Sequence, residues 1–568
     1  METGRAEQLT FGPDDDFDPA ELPGGDLVFV STRRGGFARC TDPFEPVETA
    51  TLHRLAKDGS VKTLSWHETN EWNPSVLSDG RILYTRWDYV DRAAPRFMNR
   101  WVTNPDGTGA KALFGNYTEK VIASLHAKEI PGSNKILLLG SGHHLAVGGL
   151  LAILDPSKVK YDPETAEDTL DCLEVLTPEL GFPETRVENA DKYLLHVSEH
   201  YYYSPSPLSE DFYLTAYSHD PNGGQLTHNR WDPGSCGESY SAGKLGIYYR
   251  DRFGNLELIY ADPRVSCRNP VQVKARPEPP VIASQLPDEA PAEGTFVLSD
   301  VYDSLAPMPK DRPIKELRVF QIFSHWPEYT SCVPALGVPY AANGRALLGT
   351  VPVEEDGSAH FKVPANTPLY FQAVDADGKA VRTMLSEVYL QPGENRGCVG
   401  CHEQVQTASE NFPVQMKAFQ RAPSAVTPGP VGTAPFSFPV FVQPVLDRAC
   451  VSCHGGAEGG VQPDLRGVVE KGEFSNAYNS LTKFVRWHEW GSHSIARVAS
   501  TPGGAGADQS PLTAVLDDKN HGEKIGLSDE DRRALYLWMD ANVPFYGTAE
   551  KETRAAELRG EPQKIPPL

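Results

Sequence analysis

Two short segments of the 568-residue chain carry the same spacing of cysteine and histidine. They read Cys398-Val-Gly-Cys401-His402 and Cys450-Val-Ser-Cys453-His454. Two thiols three positions apart can both form thioethers with the vinyl groups on one edge of a haem, and the adjacent imidazole then lies under the iron. The spacing therefore predicts two covalently bound c-type haems, with His402 and His454 as iron ligands.

Two other uses of paired cysteines compete with haem attachment. A redox-active dithiol belongs at a strand-to-helix turn in a βαβ pattern, which neither segment shows. A four-cysteine zinc site would need both pairs, but 48 residues separate Cys401 from Cys450. The usual separation in such a site is about 15–20 residues. Haem attachment is therefore the favoured interpretation of both motifs.

Location and partners follow from attachment chemistry and charge. Met1–Gln8 lack the basic and apolar regions of a secretory signal peptide. Haem is attached covalently outside the cytoplasm, so we expect a periplasmic or otherwise extracytoplasmic protein whose signal peptide is absent from this chain. The net charge of −23 disfavours nucleic acid as a partner. No apolar run approaches the roughly 18 residues of a membrane span.

The N-terminal half repeats a pattern of polar turn, apolar strand and hairpin. The chain has 49 Gly, 48 Pro, 22 Tyr and 23 Phe, which favour short strands joined by turns. The recurring strands and hairpin turns predict propeller blades, and a pair of β-sandwiches is the alternative. The predicted strands lie in Asp26–Ser31, Pro74–Tyr84, Ile130–Leu139 and Pro207–Thr215, and the predicted hairpin turns in Asn104–Thr108 and Asp251–Asn255.

The second half divides into a β unit and a helical unit. Strands are predicted at Leu317–Phe323, Ala359–Val363 and Leu369–Val374, with a hairpin turn at Asp375–Gly378. We therefore predict a multi-domain, mainly β chain with a C-terminal α-helical cytochrome c-like domain. Its divisions are a β-propeller-like domain (1–285), an all-β middle domain (286–395), the first haem-attachment segment with a Pro/Gly linker (396–435), the cytochrome c-like domain (436–550) and a tail (551–568).

The last predicted helix narrows the choice of a second ligand for the second haem. Ser528 is its N-cap, Leu535, Trp538 and Met539 form an apolar stripe, and Asn542 with Pro544 ends it. Met539 is expected to pack in the core. His521 lies in a polar loop just before the helix, from which it can fold back over the iron. It is the favoured ligand over the other two candidates, His488 and His493.

The first haem has fewer candidates for a second ligand. Near the motif only Met416 is available, so an open iron position facing the propeller would make this haem the reactive one. Histidines and tyrosines of the N-terminal half are candidates for the pocket wall, namely His143, His144, His196, His200 and Tyr201–Tyr203.

Several further segments resemble the alpha subunit of hydrazine synthase and its relatives. The resemblance covers most of the chain from about residue 70 to 550. It rests on Gly349–Ser358, Pro364–Pro368, Gln391–Glu394, Cys398–His402, Asp300-Val-Tyr302, Ser209-Glu-Asp211, Leu527–Asp531, Trp538–Asn542 and Tyr546-Gly547.

The resemblance implies a propeller, a β middle domain and two c-type haem sites in one chain. In that family the first haem is catalytic in N–N bond formation, and the second, with two histidine ligands, passes electrons. This supports His521 as a ligand here. The family's catalytic haem takes a tyrosine soon after its motif, which frees the motif histidine for zinc. Residues 403–421 contain no tyrosine and Gln406 stands there, so zinc and the hydrazine reaction stay open.

Three classes of function remain. The first is a haem-dependent oxidoreductase acting on a small nitrogenous or similar molecule, together with a redox partner or other subunits of a complex. The second is a two-haem electron carrier with a docking propeller, and the third is a propeller-based binding protein with accessory haems. Five further cysteines have no metal-site spacing and are expected to be mostly buried thiols, with at least one unpaired: Cys40, Cys172, Cys236, Cys267 and Cys332.

Overall fold

The computed structural model of the protein is mainly β, and helices occupy little of it. It describes residues 6–38, 47–88, 97–118, 120–142, 148–165, 167–180, 201–219, 245–309, 311–324, 335–339, 342–401, 416–429, 432–456, 461–488 and 502–566. Within these residues every α-helix falls between 438 and 558. None of the described helices is long and apolar enough to cross a bilayer.

Within the described residues, the N-terminal half consists of four antiparallel units of four strands each, and the second and third units are joined into one eight-stranded sheet by a parallel pairing of Met98 with Ala123. A small hairpin is inserted in the third unit, between its last two strands. The first unit is β1 (Asp16–Glu21), β2 (Leu27–Ser31), β3 (Thr51–Leu55) and β4 (Val61–Thr63); the second is β5 (Glu71–Val76), β6 (Ile82–Trp87), β7 (Met98–Thr103) and β8 (Lys111–Phe114); the third is β9 (Ala123–Glu129), β10 (Ile136–Ser141), β11 (Leu150–Leu154) and β14 (Leu173–Val175), with the hairpin β12 (Tyr161–Asp162) and β13 (Glu167–Asp168); the fourth is β15 (Tyr201–Pro207), β16 (Phe212–Ser218), β17 (Gly246–Asp251) and β18 (Leu256–Tyr260).

These units have the form of propeller blades, but the strand pairing does not close them into a ring. Each unit is an antiparallel meander. The predicted turn at Asn104–Thr108 joins β7 to β8 in the second unit, and the predicted turn at Asp251–Asn255 joins β17 to β18 in the fourth. Gly107, at φ 87°, accepts the left-handed backbone that the first of these turns requires. Among the described residues, no strand of the fourth unit pairs with the first. Blade-like units of the predicted propeller are therefore present, and the strands of the described residues do not close them into a ring.

The middle region is built from two facing sheets. Their strands are β19 (Glu293–Leu298), β20 (Ile314–Ile322), β21 (Arg345–Pro352), β22 (Ala359–Pro364), β23 (Leu369–Asp375), β24 (Ala380–Thr383) and β25 (Asn395–Cys398), and the three strands predicted here all form. One sheet has the order β22-β19-β25 and the other β21-β20-β23-β24. Their apolar faces enclose a common core that includes Phe296, Val319 and Phe361.

Seven short helices follow in the described part of the C-terminal region. The helix predicted to begin after Ser528 is confirmed, and one further helix follows it. The Ser528 hydroxyl accepts a hydrogen bond from the Asp531 amide at 3.1 Å, and Leu535, Trp538 and Met539 are buried. The helices are α1 (Phe438–Phe441), α2 (Gln443–Ala449), α3 (Asn476–Leu481), α4 (Pro511–Asp517), α5 (Gly522–Ile525), α6 (Asp529–Asp540) and α7 (Lys551–Leu558).

Strands β20 and β23 belong to two cores at once, because alternate side chains of a strand point to opposite faces. Phe371 faces the core between the two middle sheets, whereas its neighbour Tyr370 packs in the core of the helical region. Arg318 of β20 is buried there in an ion pair with Asp540 of α6, at 2.8 Å. The helical region is thus joined to the middle sheet by a continuous apolar core and by a buried charge pair.

Candidate functional site

The first cysteine pair begins at the end of a strand of the middle sheet. Strand β25 runs parallel to β19, with Cys398 opposite Leu298, and the Cys398 carbonyl accepts from the Ser299 amide at 2.9 Å. The Cys401 amide donates to the Asp303 carbonyl at 2.8 Å. A β-carbon on Gly400 would lie 1.9 Å from that carbonyl oxygen, so the glycine within the motif is required by close backbone packing.

Cys398 and Cys401 line a cavity of about 240 Å³ between the second blade and the middle sheets. The blade contributes Trp101 and Tyr117, and the middle sheets contribute side chains such as Phe371. A concave, largely apolar pocket with a few polar groups is the usual form of a cofactor site. The lining therefore fits a large, flat, apolar group that is attached through the two cysteines.

Not every residue predicted for this first site can be compared with the cavity. His402, Gln406, His143, His144, His196 and His200 lie outside the described residues. Tyr201, Tyr202 and Tyr203 belong to β15 and are not among the side chains that line the cavity. Met416 is buried away from it, and the thioether that does line it, which the sequence gave no reason to expect, is Met384.

The second cysteine pair continues from the C-terminus of α2. The Cys450 amide donates to Leu446, and the amides of Cys453 and His454 both return to the Cys450 carbonyl. Burial raises the pKa of the Cys450 thiol to about 11, with a smaller contribution from Cys453. Redox-active dithiols have lowered thiol pKa values, so the raised pKa of Cys450 argues against a redox-active dithiol at this cysteine pair.

The four motif cysteines do not assemble into one zinc site. Across the described residues, which include all four, no three His, Cys, Asp or Glu side chains are grouped as metal ligands.

The cysteines outside the motifs differ in burial. Cys172 is buried, and burial raises the pKa of its thiol to about 12, while Cys267 is half-buried. Cys40, Cys236 and Cys332 lie outside the described residues.

His454 and His521 face each other beside the second cysteine pair. Their ring centroids are 6.3 Å apart, and the ring planes are inclined by 69°. Nδ1 of His454 donates to the Pro463 carbonyl at 3.0 Å, and Nδ1 of His521 donates to the Val515 carbonyl at 3.3 Å. A carbonyl can only accept, so both rings carry their proton on Nδ1 and keep the Nε2 lone pair for a metal.

The ring separation fits two imidazoles on opposite sides of one metal ion. An imidazole nitrogen binds a metal at about 2 Å, and the ring centre lies about 1 Å further back, which gives roughly 6 Å between the two centres. The residues at this site therefore fit a haem iron with two histidine ligands. Pro463 and Val515, which fix the ring orientations, carry no sequence signal because only their carbonyl groups are used.

The other candidates at the second site have different surroundings. Met539 is 1% exposed in the helical core, where the Thr513 hydroxyl is its polar neighbour, so its predicted packing role is confirmed. The His488 amide donates to the Asn542 side chain at 2.7 Å, next to the end of α6. His493 lies outside the described residues.

A buried charge network borders the first cavity, and the sequence reading missed it. Glu387 lines the cavity, forms an ion pair with His67 and accepts a hydrogen bond from the Glu68 amide at 2.6 Å. Burial raises the pKa of Glu387, but His67 and Arg86 outweigh burial and hold it below the ordinary value. The members of this network are scattered in sequence. The one available signal was Arg86 within the mostly apolar strand β6, followed by Asp88 just after the strand ends.

The comparisons with known proteins agree with this architecture. Residues 313–403 match the family model described as the hydrazine synthase alpha subunit middle domain. Hydrazine synthase subunit alpha of Kuenenia stuttgartiensis is 25% identical over 193 residues, which are 24% of this chain and 24% of the relative.

The solved structure of Kuenenia stuttgartiensis hydrazine synthase superposes with a TM-score of 0.67. The match covers 92% of this chain and 78% of the other, at 19% identity. TolB from Acinetobacter baumannii aligns over 47% of this chain and 49% of its own at 12% identity, and its TM-score of 0.27 supports no argument. This chain is therefore similar to the hydrazine synthase alpha subunit: residues 313–403 match the middle domain of that family, and the fold of hydrazine synthase is shared over 92% of the chain.

Proposed function

We propose that the protein is an extracytoplasmic two-haem c-type redox protein. One haem is attached at Cys398 and Cys401, and the other at Cys450 and Cys453. The first site is where an exogenous small molecule binds, and the second passes electrons. The observation that carries the proposal is the facing pair His454 and His521, each with Nδ1 hydrogen-bonded to a carbonyl.

The second site is suited to electron transfer. His454 and His521 would both be ligands of a bound haem iron, which would supply one-electron transfer and would have no position left for a substrate. The carbonyl groups of Pro463 and Val515 hold the two rings in their orientation, so the ligands need not move when the charge at the site changes. The shared core with the middle sheet supports a role for this site as a relay to the first.

The first site is suited to a reacting molecule. Its cysteines open onto a cavity whose lining is largely apolar and includes four charged side chains, those of Lys111, Arg382, Glu387 and Arg396. Because residues 313–403 match the hydrazine synthase alpha subunit middle domain, we propose a small nitrogenous substrate and operation beside other subunits.

One observation favours a second candidate, a two-haem electron carrier. Met384 lines the first cavity, and its thioether is a suitable iron ligand. Were it bound opposite His402, the first site would be closed to small molecules and both haems would serve electron transfer only. In that case this chain would share the architecture of the hydrazine synthase alpha subunit but not its reaction.

Haem content and carbon monoxide binding distinguish these proposals. A pyridine haemochrome assay on chain exported to the periplasm should give two haems per chain, and one or none would contradict the proposal. The reduced protein should bind about one carbon monoxide per chain, at the first iron. Binding of none would favour the electron carrier.

A further inference from the structure

Arg382 is a buried cation in the wall of the first cavity. It lies in β24, is 3% exposed and lines the cavity beside Cys401. Burial lowers the pKa of its guanidinium, and Cys401 and Tyr117 partly oppose this shift. A buried guanidinium normally has hydrogen-bond acceptors for its donors.

Among the described residues, one edge of this guanidinium has no acceptor. Nε and Nη2 are buried without a hydrogen-bond partner, and Nη1 makes one long contact, 3.5 Å, with the Ala306 carbonyl. Nε and Nη2 are the edge that grips a carboxylate with two parallel bonds. Elsewhere in this chain the same edge of Arg33 holds Asp16, at 3.2 and 2.6 Å, and that of Arg312 holds Asp375, at 3.1 and 2.6 Å.

The charges around the cavity leave Arg382 uncompensated. Lys111 and Arg396 also line it and add positive charge, and Arg396 already donates to the Ala110 carbonyl. Among the described lining residues the carboxylate is that of Glu387, which is engaged by His67. The cavity is therefore cationic, with one arginine fork open.

We propose that the Nε and Nη2 edge of Arg382 binds a carboxylate inside this cavity. The carboxylate has two sources: a propionate of the group attached to Cys398 and Cys401, or a small free carboxylate. The first source rests on the proposed function, whereas the second does not. In either case Arg382 is an anchor that fixes the orientation of the bound molecule through two parallel hydrogen bonds.

Formate is the probe of the free source, measured by calorimetry. The loaded chain and a C398S/C401S chain, which lacks the first attachment, are each titrated with formate. R382Q removes the charge and the fork, and R382K keeps the charge alone. R396Q is the matched control, because it removes a cavity cation whose Nη2 already donates to the Ala110 carbonyl. Formate binding that weakens about tenfold or more in R382Q and R382K, and less in R396Q, supports the proposal.

The chain that responds identifies the source. Arg382-dependent binding to the loaded chain indicates a free carboxylate. Arg382-dependent binding to the C398S/C401S chain alone indicates a propionate, and R382Q should then lower the unfolding temperature of the loaded chain. If neither chain binds formate through Arg382 and R382Q unfolds at the same or a higher temperature, the proposal is overturned, because the residue is then an unpaired buried charge. A chain found to carry no haem would contradict the proposed function, while its formate titration would still decide this site.

Discussion

The imidazoles of His454 and His521 are 67 positions apart in sequence and face each other with their centroids 6.3 Å apart. Each is oriented by one hydrogen bond from Nδ1 to a carbonyl oxygen. The pair is prearranged in the polypeptide itself, and this prearrangement can be tested by removing one ring at a time.

Replacement of His521 should open the second iron. H521A is expected to raise carbon monoxide binding in the reduced protein from about one to about two per chain, because one strong ligand is lost. The visible spectrum should change from low-spin towards high-spin for one haem. H488A, which removes another histidine of the helical region, is the control and should bind as the parent does. Equal effects of the two variants would disprove the ligand assignment.

Met384 decides between the two proposed functions. If its thioether is an iron ligand, the wild-type protein binds no carbon monoxide and M384A gains about one per chain. If the first iron is open, wild type and M384A should bind equally. M416A is the control, since Met416 is buried outside the cavity lining. Titration of the reduced proteins, followed by visible absorption, gives the answer.

The two haems should be removable independently. C398A/C401A is expected to lose one haem and to keep the low-spin spectrum of the second, because the two pairs lie in separate parts of the fold. C450A/C453A should lose the other. Intact-mass spectrometry measures each loss, and C267A should retain both haems. Loss of both haems from either double variant would show that the sites depend on each other.

The buried pair Arg318 and Asp540 should stabilise the junction of sheet and helices. D540A leaves Arg318 buried without its carboxylate, and the expected loss is about 3–5 kcal/mol in the free energy of unfolding. Urea denaturation followed by circular dichroism measures it. E561A breaks the exposed pair with Arg559 and should leave the unfolding free energy close to that of the parent. A small effect of D540A would mean that the apolar core alone holds the junction.

Asp464 should add an acid-sensitive contribution to stability. Hydrogen bonds from Arg466 hold the pKa of this carboxyl well below its ordinary value of 3.8. Folding favours the ionised form of Asp464, so its contribution to stability is complete above the pKa of the unfolded state. The contribution is lost as the pH falls towards the lower pKa of the folded state. As the pH is lowered from 5 to 2, the unfolding temperature should therefore fall less steeply in D464N than in wild type. Parallel curves would contradict this.

Local signals in the sequence predicted the elements that depend on neighbouring residues. The cap of Ser528 and the stripe of Leu535, Trp538 and Met539 determine α6 within one stretch of chain, and the turn at Asn104–Thr108 determines its hairpin. The cysteine spacing is equally local. These features were found because their energetics are set within a few residues.

What the sequence could not reveal depends on contacts between distant segments. Cys398 pairs with Leu298 in a parallel register, a hundred positions away, and no periodicity encodes that register. Arg382 and Met384 lie in an ordinary strand pattern, and the cavity exists only where a blade meets the middle sheets. The open edge of the propeller-like half likewise depends on how the blades are arranged, which turn chemistry does not specify.

The two-faced sheet of β20 and β23 bears on the rate of electron tunnelling. Phe371 lines the cavity of the first cysteine pair, and Tyr370, bonded to it, packs in the core that contains Cys450. If both cysteine pairs carry the proposed haems, this one sheet lies between the two attachment sites, and the docking of separate domains does not set their separation. Tunnelling between them should accordingly vary little with solvent viscosity.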